Sequence, residues 1–168
     1  MSTRAQFAIA AVVAVACAIG IGFVVHGWLT GDARASVPDG LRAGDAVAPF
    51  SGYREVRIGV NGACGRFVVA DTDTRREDGL RGVHDLGPYA GMLFAQPHTS
   101  RIAFTMAGVS DPLELAWYTA DGMRVGTVHL RPCPDRAGDC PLYDSPDAYK
   151  WAVEVPGGHP LPGQLAAC

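Results

Sequence analysis

Glu114 and His129 are a carboxylate and an imidazole that the sequence places side by side. Both belong to a predicted hairpin over residues 113–130, because Asp121-Gly122 is typical of a type I′ turn. The register set by this turn pairs Glu114 with His129, and such a pair could transfer protons in acid–base chemistry. Cross-strand pairs of this kind are more often partly solvated ion pairs that contribute under about 1 kcal/mol. We therefore favour a structural role for the pair.

A second kind of chemistry would need paired carboxylates. Asp111, Glu114 and Glu154 could serve a hydrolase of envelope polymers if two of them lay about 5–10 Å apart in a cleft. The sequence contains no G-x-S-x-G, H-E-x-x-H or C-x-x-C motif and no phosphate-binding glycine loop. A non-catalytic protein is thus the leading interpretation, and the carboxylate-dependent hydrolase is the alternative.

Met92 and Met106 could offer soft thioether ligands to Cu(I). Methionines on strands are more often part of the hydrophobic core. We therefore predict no metal site and no cofactor.

The cysteines point to an oxidising compartment. Cys64, Cys133, Cys140 and Cys168 form an even set after the N-terminal segment, which favours disulfides outside the cytosol. Cys133 and Cys140 flank a short loop and form the obvious bridge, which contributes about 2.5 kcal/mol in the chain-entropy model. Cys64 and Cys168 would then pair or remain free. A four-cysteine zinc site is disfavoured, because structural zinc sites bring closely spaced cysteine pairs.

The N-terminal run Phe7–Val25 has no charged or strongly polar side chain and follows Arg4. Such a run is about 28 Å long as a helix, which is close to the thickness of a bilayer core. Residues 1–35 are therefore predicted to be a membrane anchor or a signal peptide cleaved near Ala35. Either interpretation places the rest of the chain outside the cytoplasm, and the anchor makes the membrane its first partner.

Residues 36–52 are rich in Gly, Ala, Pro and Asp without periodicity, so they are predicted to be a linker. Residues 53–168 then form one exported domain. The chain carries a formal net charge of −3 and no basic stripe, which argues against nucleic acid as a partner.

Apolar alternation predicts a mainly β (α+β) fold for this domain. Residues 56–60 alternate before Asn61-Gly62, whose turn chemistry predicts an opening hairpin with residues 64–70. Thr72 or Asp73 can cap a short helix over residues 74–80. Further strands are predicted over residues 92–95 and 101–106 and in the hairpin 113–130, where Tyr118 would pair with Val125. The expected architecture is a compact antiparallel β-rich domain with one short helix.

The order of several short motifs resembles a known family. These motifs are Arg75 with Gly79-Leu80, Gly91-Met92-Leu93-Phe94, Phe104-Thr105-Met106, Pro112-Leu113-Glu114, Asp121-Gly122, Pro132-Cys133, Cys140-Pro141-x-Tyr143 and Glu154-Val155-Pro156-x-Gly158. Over about Val68 to Gly158 the chain resembles the bacterial and archaeal family called domain of unknown function 192. The resemblance implies a β-rich domain with a minor helix, and it brings no established activity.

The chain departs from the family's usual pattern at three places. The pattern has a methionine after Gly-Leu where this chain has Arg81, and a tryptophan before the second methionine where it has Thr105. A Lys-Asn-Thr-like stretch follows that methionine in the pattern, where this chain has Ala107-Gly108-Val109. If these positions form a shared site, this member has lost part of it.

Within the resemblance, Arg75 on the short helix is expected to satisfy Glu114 bidentately, and we prefer this pairing to Glu114–His129. The candidate binding or structural site is the set Arg75, Met92, Met106, Glu114 and His129. Convergence of these five side chains on one pocket would indicate a function. The leading hypothesis is a non-catalytic domain that binds a small ligand, an envelope component or a protein partner.

Overall fold

The computed structural model describes residues 33–133 and 139–168. Residues Arg34–Cys168 form one compact unit. The predicted anchor or signal helix falls almost wholly outside the described residues, and so does most of the loop between Cys133 and Cys140. Within the described ranges, no helix has the length and apolar character needed to cross a membrane.

The domain is built on a seven-stranded sheet in the order β1-β2-β3-β4-β9-β6-β7, with β5 and β8 forming a separate two-stranded sheet. In the described part of the chain, one helix, α1, accompanies these strands. The elements are β1 (Gly44–Asp45), β2 (Arg54–Val60), β3 (Ala63–Ala70), α1 (Asp73–Asp78), β4 (Gly91–Ser100), β5 (Phe104–Thr105), β6 (Leu113–Tyr118), β7 (Arg124–Leu130), β8 (Leu142–Tyr143) and β9 (Tyr149–Pro156). The predicted β-rich fold with one short helix is confirmed.

The opening hairpin forms as predicted. Asn61 and Gly62 both have positive φ, at 49° and 81°, as the central residues of a type I′ turn require. Val60 pairs with Ala63 across the turn, and the ladder of β2 and β3 continues to Arg54 and Val69.

The second hairpin has the predicted register except at its end. Glu114 pairs with His129, but Tyr118 pairs with Arg124 across a register shift, so the predicted pairing of Tyr118 with Val125 is wrong. Gly122 alone has positive φ in this turn, at 80°, so the type I′ prediction is wrong as well. An extra residue in the loop, closed by a hydrogen bond from the Thr119 N–H to the Met123 carbonyl, accounts for the shift.

One pair of neighbouring strands is parallel, so the sheet is only mostly antiparallel. β3 and β4 run in the same direction, with Phe67 opposite Gly91 and Ala70 opposite Phe94. A parallel pair needs a crossover connection, and here α1 and the turns after it provide one. Thr72 caps α1 by accepting a hydrogen bond from the Arg75 N–H, and Gly79 ends the helix. The crossover covers one face of the sheet and creates the cavity described below.

The segment predicted as a linker is part of the domain, so that prediction is wrong. Leu41, Ala46 and Phe50 are buried, and β1 pairs with β2. Ala46 and Phe50 pack into the core on one face of the sheet and Leu41 into the core on the other, so the buried positions of residues 36–52 follow no strand or helix periodicity. Ala35, the predicted cleavage position, is also buried, and its N–H donates to the Asp71 carbonyl at 2.7 Å.

Both cysteine pairs named from the sequence are joined in the structure. Cys64 and Cys168 have Cα atoms 5.5 Å apart, and those of Cys133 and Cys140 are 5.9 Å apart. The first pair attaches the C-terminal segment to the opening hairpin. The second closes the loop that follows β7.

The redox state of the second pair gives a testable prediction. Protein recovered from intact cells under thiol-blocking conditions is expected to yield a Cys133–Cys140 cross-linked peptide in unreduced mass spectrometry. Replacing both residues by serine should lower the free energy of unfolding by about 2.5 kcal/mol, since the short loop is then open in the unfolded chain. Free thiols at both positions, or an unchanged denaturation midpoint in the double variant, would refute this.

Candidate functional site

A cavity of about 300 Å³ opens on one face of the seven-stranded sheet. The inward residues of β4 and β9 form its floor. Helix α1 with the turn through Arg81 forms one wall, and the segment 102–109 forms the other. Exposed Ile102, with 62% of its surface accessible, lies at the mouth, so the cavity is connected to solvent.

Glu154 contributes a carboxyl group to the floor. It lies on β9 between Met92 of β4 and Leu115 of β6, which are its ladder partners on either side. Only 4% of its surface is accessible, and its side chain makes no hydrogen bond or ion pair with the described residues. Burial raises the pKa of this carboxyl to about 8. At neutral pH the cavity floor therefore presents a largely protonated, unpaired carboxyl.

Aromatic rings line another part of the same cavity. The Phe94 and Phe104 rings meet edge to face with centroids 5.2 Å apart, and the Tyr149 ring lies 6.1 Å from that of Phe104. The Tyr149 hydroxyl donates to the Ile102 carbonyl at 2.7 Å. Burial is the main cause that raises the pKa of Tyr149 to about 12, so its hydroxyl stays protonated. This part of the lining is aromatic, and the buried side chain of Gln96 adds a polar amide to the cavity.

Charged side chains from α1 and the turn after it surround the opening. Asp73, Glu77 and Asp78 supply negative charge, and Arg76 and Arg81 supply positive charge. Arg76 pairs with Asp73 and donates to the Ala95 carbonyl at 2.7 Å. The Arg81 Nε donates to the Ala107 carbonyl at 3.0 Å. Both guanidinium groups are therefore already engaged with the protein.

The structure contradicts the predicted pairing of Arg75 with Glu114. Arg75 Nη1 lies 2.6 Å from Asp71 Oδ1, Nη2 donates to the Gly52 carbonyl at 2.7 Å, and the guanidinium covers the Tyr53 ring. Asp71 competes successfully because it lies one helical turn before Arg75 and needs no long-range approach.

Glu114 instead pairs with His129, with Oε1 and Nδ1 2.8 Å apart. The His129 side chain is 55% exposed and that of Glu114 is 26% exposed. Strand alternation puts Glu114 on the same face of the sheet as Ala116, opposite the cavity. The pair is a partly solvated hydrogen-bonded contact of small energetic value.

The other predicted site residues do not converge with the Glu114–His129 pair. Met92 and Met106 are fully buried in the core on the cavity side, and neither lines the cavity. Asp111 lies at the surface, 3.5 Å from His84, so of the three proposed hydrolase carboxylates only Glu154 reaches the cavity. Within residues 33–133 and 139–168, no group of three or more His, Cys, Asp or Glu side chains is arranged to hold a metal.

Comparison with known families decides the membership of the chain. Residues 56–160 match the family described as uncharacterized ACR, domain of unknown function 192 (DUF192). The chain belongs to the DUF192 family. No curated protein matches it.

Two solved structures share the fold of this DUF192 domain. A protein of unknown function from Novosphingobium aromaticivorans is 22% identical with a TM-score of 0.57, and the match covers 73% of this chain and 88% of that one. A putative transcription regulator from Sinorhizobium meliloti is 23% identical with a TM-score of 0.50, covering 62% and 80% of the two chains. At this level of identity the comparison establishes the fold alone.

Each of the three places where the chain departs from the expected family pattern contributes one residue to the cavity lining. These residues are Arg81, Thr105 and Val109. Threonine is far smaller than the tryptophan that the family resemblance leads us to expect at this position.

The main residue of the site was named from the sequence for a different reason. Glu154 was one of three carboxylates considered for hydrolysis. A stronger signal was its position, because it is the one charged residue in the otherwise apolar run Trp151–Val155. A carboxylate at an inward position of a buried strand is uncommon and needs a physical explanation.

Proposed function

We propose that this domain is a non-catalytic binding module that holds a small ligand in the cavity above Glu154. The observation that carries the proposal is the unpaired Glu154 carboxyl, which is 4% exposed and faces the cavity. Burying a carboxyl without a partner costs free energy. A bound polar group would supply the missing partner, and the aromatic walls would bury the apolar part of the same ligand.

An exported location, with the membrane as a partner through the N-terminal segment, is part of the proposal. The apolar run Phe7–Val25 and the two cysteine pairs support it. The Cys133–Cys140 mass spectrometry described above tests the location as well, because a reducing cytosol would leave free thiols.

A hydrolase is the second candidate function, and one observation favours it. A carboxyl whose pKa is raised by burial is suited to act as a general acid, and Glu154 has this property. Asp73, Glu77 and Asp78 at the opening are the carboxylates that could accompany it. Release of soluble fragments from a purified envelope polymer by the wild type, and not by Glu154→Gln, would favour the hydrolase over the binding module.

The binding function predicts the behaviour of two matched tryptophan variants. Thr105→Trp places an indole in the cavity, whereas Thr127→Trp makes the same change at an exposed position of β7. A library of small polar and aromatic compounds is screened against the full-length protein by ligand-observed NMR. Compounds that bind the wild type should bind Thr127→Trp equally and lose at least about tenfold in affinity for Thr105→Trp, a loss of about 1.4 kcal/mol.

Two results would contradict this proposal. One is a set of compounds that bind the wild type and both variants with equal affinity. The other is a screen without any saturable binding to the wild type. Far-ultraviolet circular dichroism of both variants establishes that they retain the β-rich fold.

A further inference from the structure

We propose that the ligand of this cavity carries a small organic ammonium group, with the Glu154 carboxylate as its counter-ion. This inference rests on the binding function proposed above and identifies the chemical class of the ligand. Three independent features of the cavity support it: the lone carboxyl, the aromatic wall and the charges at the opening.

The carboxyl has no partner among the described residues, and we infer that its partner enters from outside. Gln96, the other buried polar side chain that lines the cavity, makes no hydrogen bond with it. The ladder neighbours of Glu154, Met92 and Leu115, are apolar and offer no hydrogen-bond donor from their side chains. An ammonium group held close to the carboxylate compensates its charge and supplies hydrogen bonds or close electrostatic contact. Such a cation favours the ionised form of the acid, so binding displaces the proton that Glu154 carries in the free protein.

The aromatic wall suits the alkyl groups and the charge of an ammonium ion. Phe94, Phe104 and Tyr149 line the same cavity as the carboxyl, and the Tyr149 hydroxyl is already bonded to the Ile102 carbonyl. Aromatic rings attract organic cations through their quadrupoles, and this attraction grows when the site excludes water. An inorganic cation would gain less here, because it needs several oxygen ligands.

The charged groups that face Glu154 come from α1 and the turn after it. Arg76 is paired with Asp73, and Arg81 donates to a backbone carbonyl. Glu77 and Asp78 make no ion pair with the described residues, which leaves the opening with an excess of negative charge. From the sheet, Tyr149 is the other titratable group that lines the cavity, and the segment 102–109 adds no charged side chain. The field at the opening therefore favours cations.

Proton displacement gives this ligand class a distinctive pH dependence. Because the pKa of Glu154 is raised to about 8 by burial, a cation that needs the ionised form binds about tenfold more tightly for each pH unit up to about 8. Above that pH the affinity levels off. A neutral or anionic ligand that accepts a hydrogen bond from the protonated acid would instead lose affinity as the pH rises through 8.

The experiment compares two cations with uncharged analogues on the full-length protein. Choline is paired with dimethylbutanol, in which carbon replaces the charged nitrogen, and butylamine is paired with butanol. Isothermal titration calorimetry at several pH values, in buffers of different ionisation enthalpy, measures affinity and proton release together. We expect the cations to bind at least about tenfold more tightly than their analogues and to release close to one proton at pH 7.

The Glu154→Gln variant supplies a second readout, because glutamine keeps the size of the side chain and removes its charge. It should lose at least about tenfold in affinity for the cations, along with their proton release, and bind the uncharged analogues as the wild type does. The pH dependence of the wild type tests the proposal even if this variant does not fold.

The results that would overturn the ligand class differ from those that would overturn the binding function. Uncharged or anionic analogues that bind in the cavity as tightly as the cations, or affinity for the cations that falls above pH 8, would overturn the ligand class and leave the binding function standing. If the wild type bound no compound of any charge, both the ligand class and the binding function would be overturned.

Discussion

Replacing Asp71 by asparagine is expected to lower the free energy of unfolding by about 3 kcal/mol. The Asp71 side chain is fully buried, with Oδ2 2.5 Å from Arg54 Nε and Oδ1 2.6 Å from Arg75 Nη1. Removing the charged partner from a buried ion pair typically costs about 3–5 kcal/mol, because the remaining charge is stranded. Both guanidiniums retain some contact with water, which places the expected value at the lower end of this range.

The same carboxylate connects distant parts of the chain. Arg54 also donates through Nη2 to the Ala35 carbonyl at 2.6 Å, and Arg75 donates to the Gly52 carbonyl. Removing the Asp71 carboxylate should therefore loosen the segment around Ala35 as well as α1. Hydrogen exchange should show reduced protection of the Ala35 amide, whose acceptor is the Asp71 carbonyl.

A matched control is available at the surface. Asp147 Oδ1 lies 2.6 Å from Arg101 Nη2, but the two side chains are 71% and 63% exposed. Asp147→Asn should therefore change the free energy of unfolding by less than about 1 kcal/mol. Urea denaturation of both variants at one pH compares them directly. Similar small losses in the two variants would show that the Asp71 pair is not the structural anchor described here.

Replacing Glu154 by glutamine should change how stability depends on pH. In the folded protein burial raises the pKa of Glu154 from 4.5 to about 8. Between these pH values the unfolded chain releases the proton while the folded chain retains it, so the free energy of unfolding falls as the pH rises. The total fall that Glu154 contributes is about 5 kcal/mol. This fall is absent below about pH 4.5 and complete above about pH 8.

Glutamine does not titrate, so the variant should lack this contribution. Relative to the wild type, Glu154→Gln should gain about 4 kcal/mol between pH 5 and pH 9 when urea unfolding is measured across that range. Glu114→Gln removes a carboxyl from the opposite face of the sheet and should retain the fall seen in the wild type. Parallel curves for the wild type and Glu154→Gln would contradict the neutral, unpaired state of Glu154.

Local features of this domain could be predicted because short segments determine them. Asn61-Gly62 specifies its own turn, and Thr72 caps the helix that follows it. Most of the register between β6 and β7 followed from the hairpin pattern. Its last pair did not, because the exact loop conformation depends on the hydrogen bonds of Thr119, which the dipeptide Asp121-Gly122 does not reveal.

Features that depend on the whole fold were harder to predict. Arg75 was assigned to Glu114 because both belong to motifs of one family, yet Asp71 is nearer in sequence and in space. The parallel pair β3–β4 places the crossover on one face of the sheet, and the crossover brings Arg81 into the lining of the cavity that Glu154 shares. A cavity walled by a segment that crosses over the sheet cannot be located from the sequence alone, because the sequence does not show which face of the sheet the segment covers.

The proposed binding function depends on a neutral Glu154 carboxyl, open to a ligand, at the floor of this cavity. Its most direct test is a carbon-13 NMR titration of glutamate side-chain carboxyls in the wild-type protein, with the Glu154 resonance assigned by its absence from Glu154→Gln. We predict a midpoint of about 8 for this resonance. A midpoint near the ordinary value of about 4.5 would show that water or a protein partner already satisfies Glu154, and it would contradict the account.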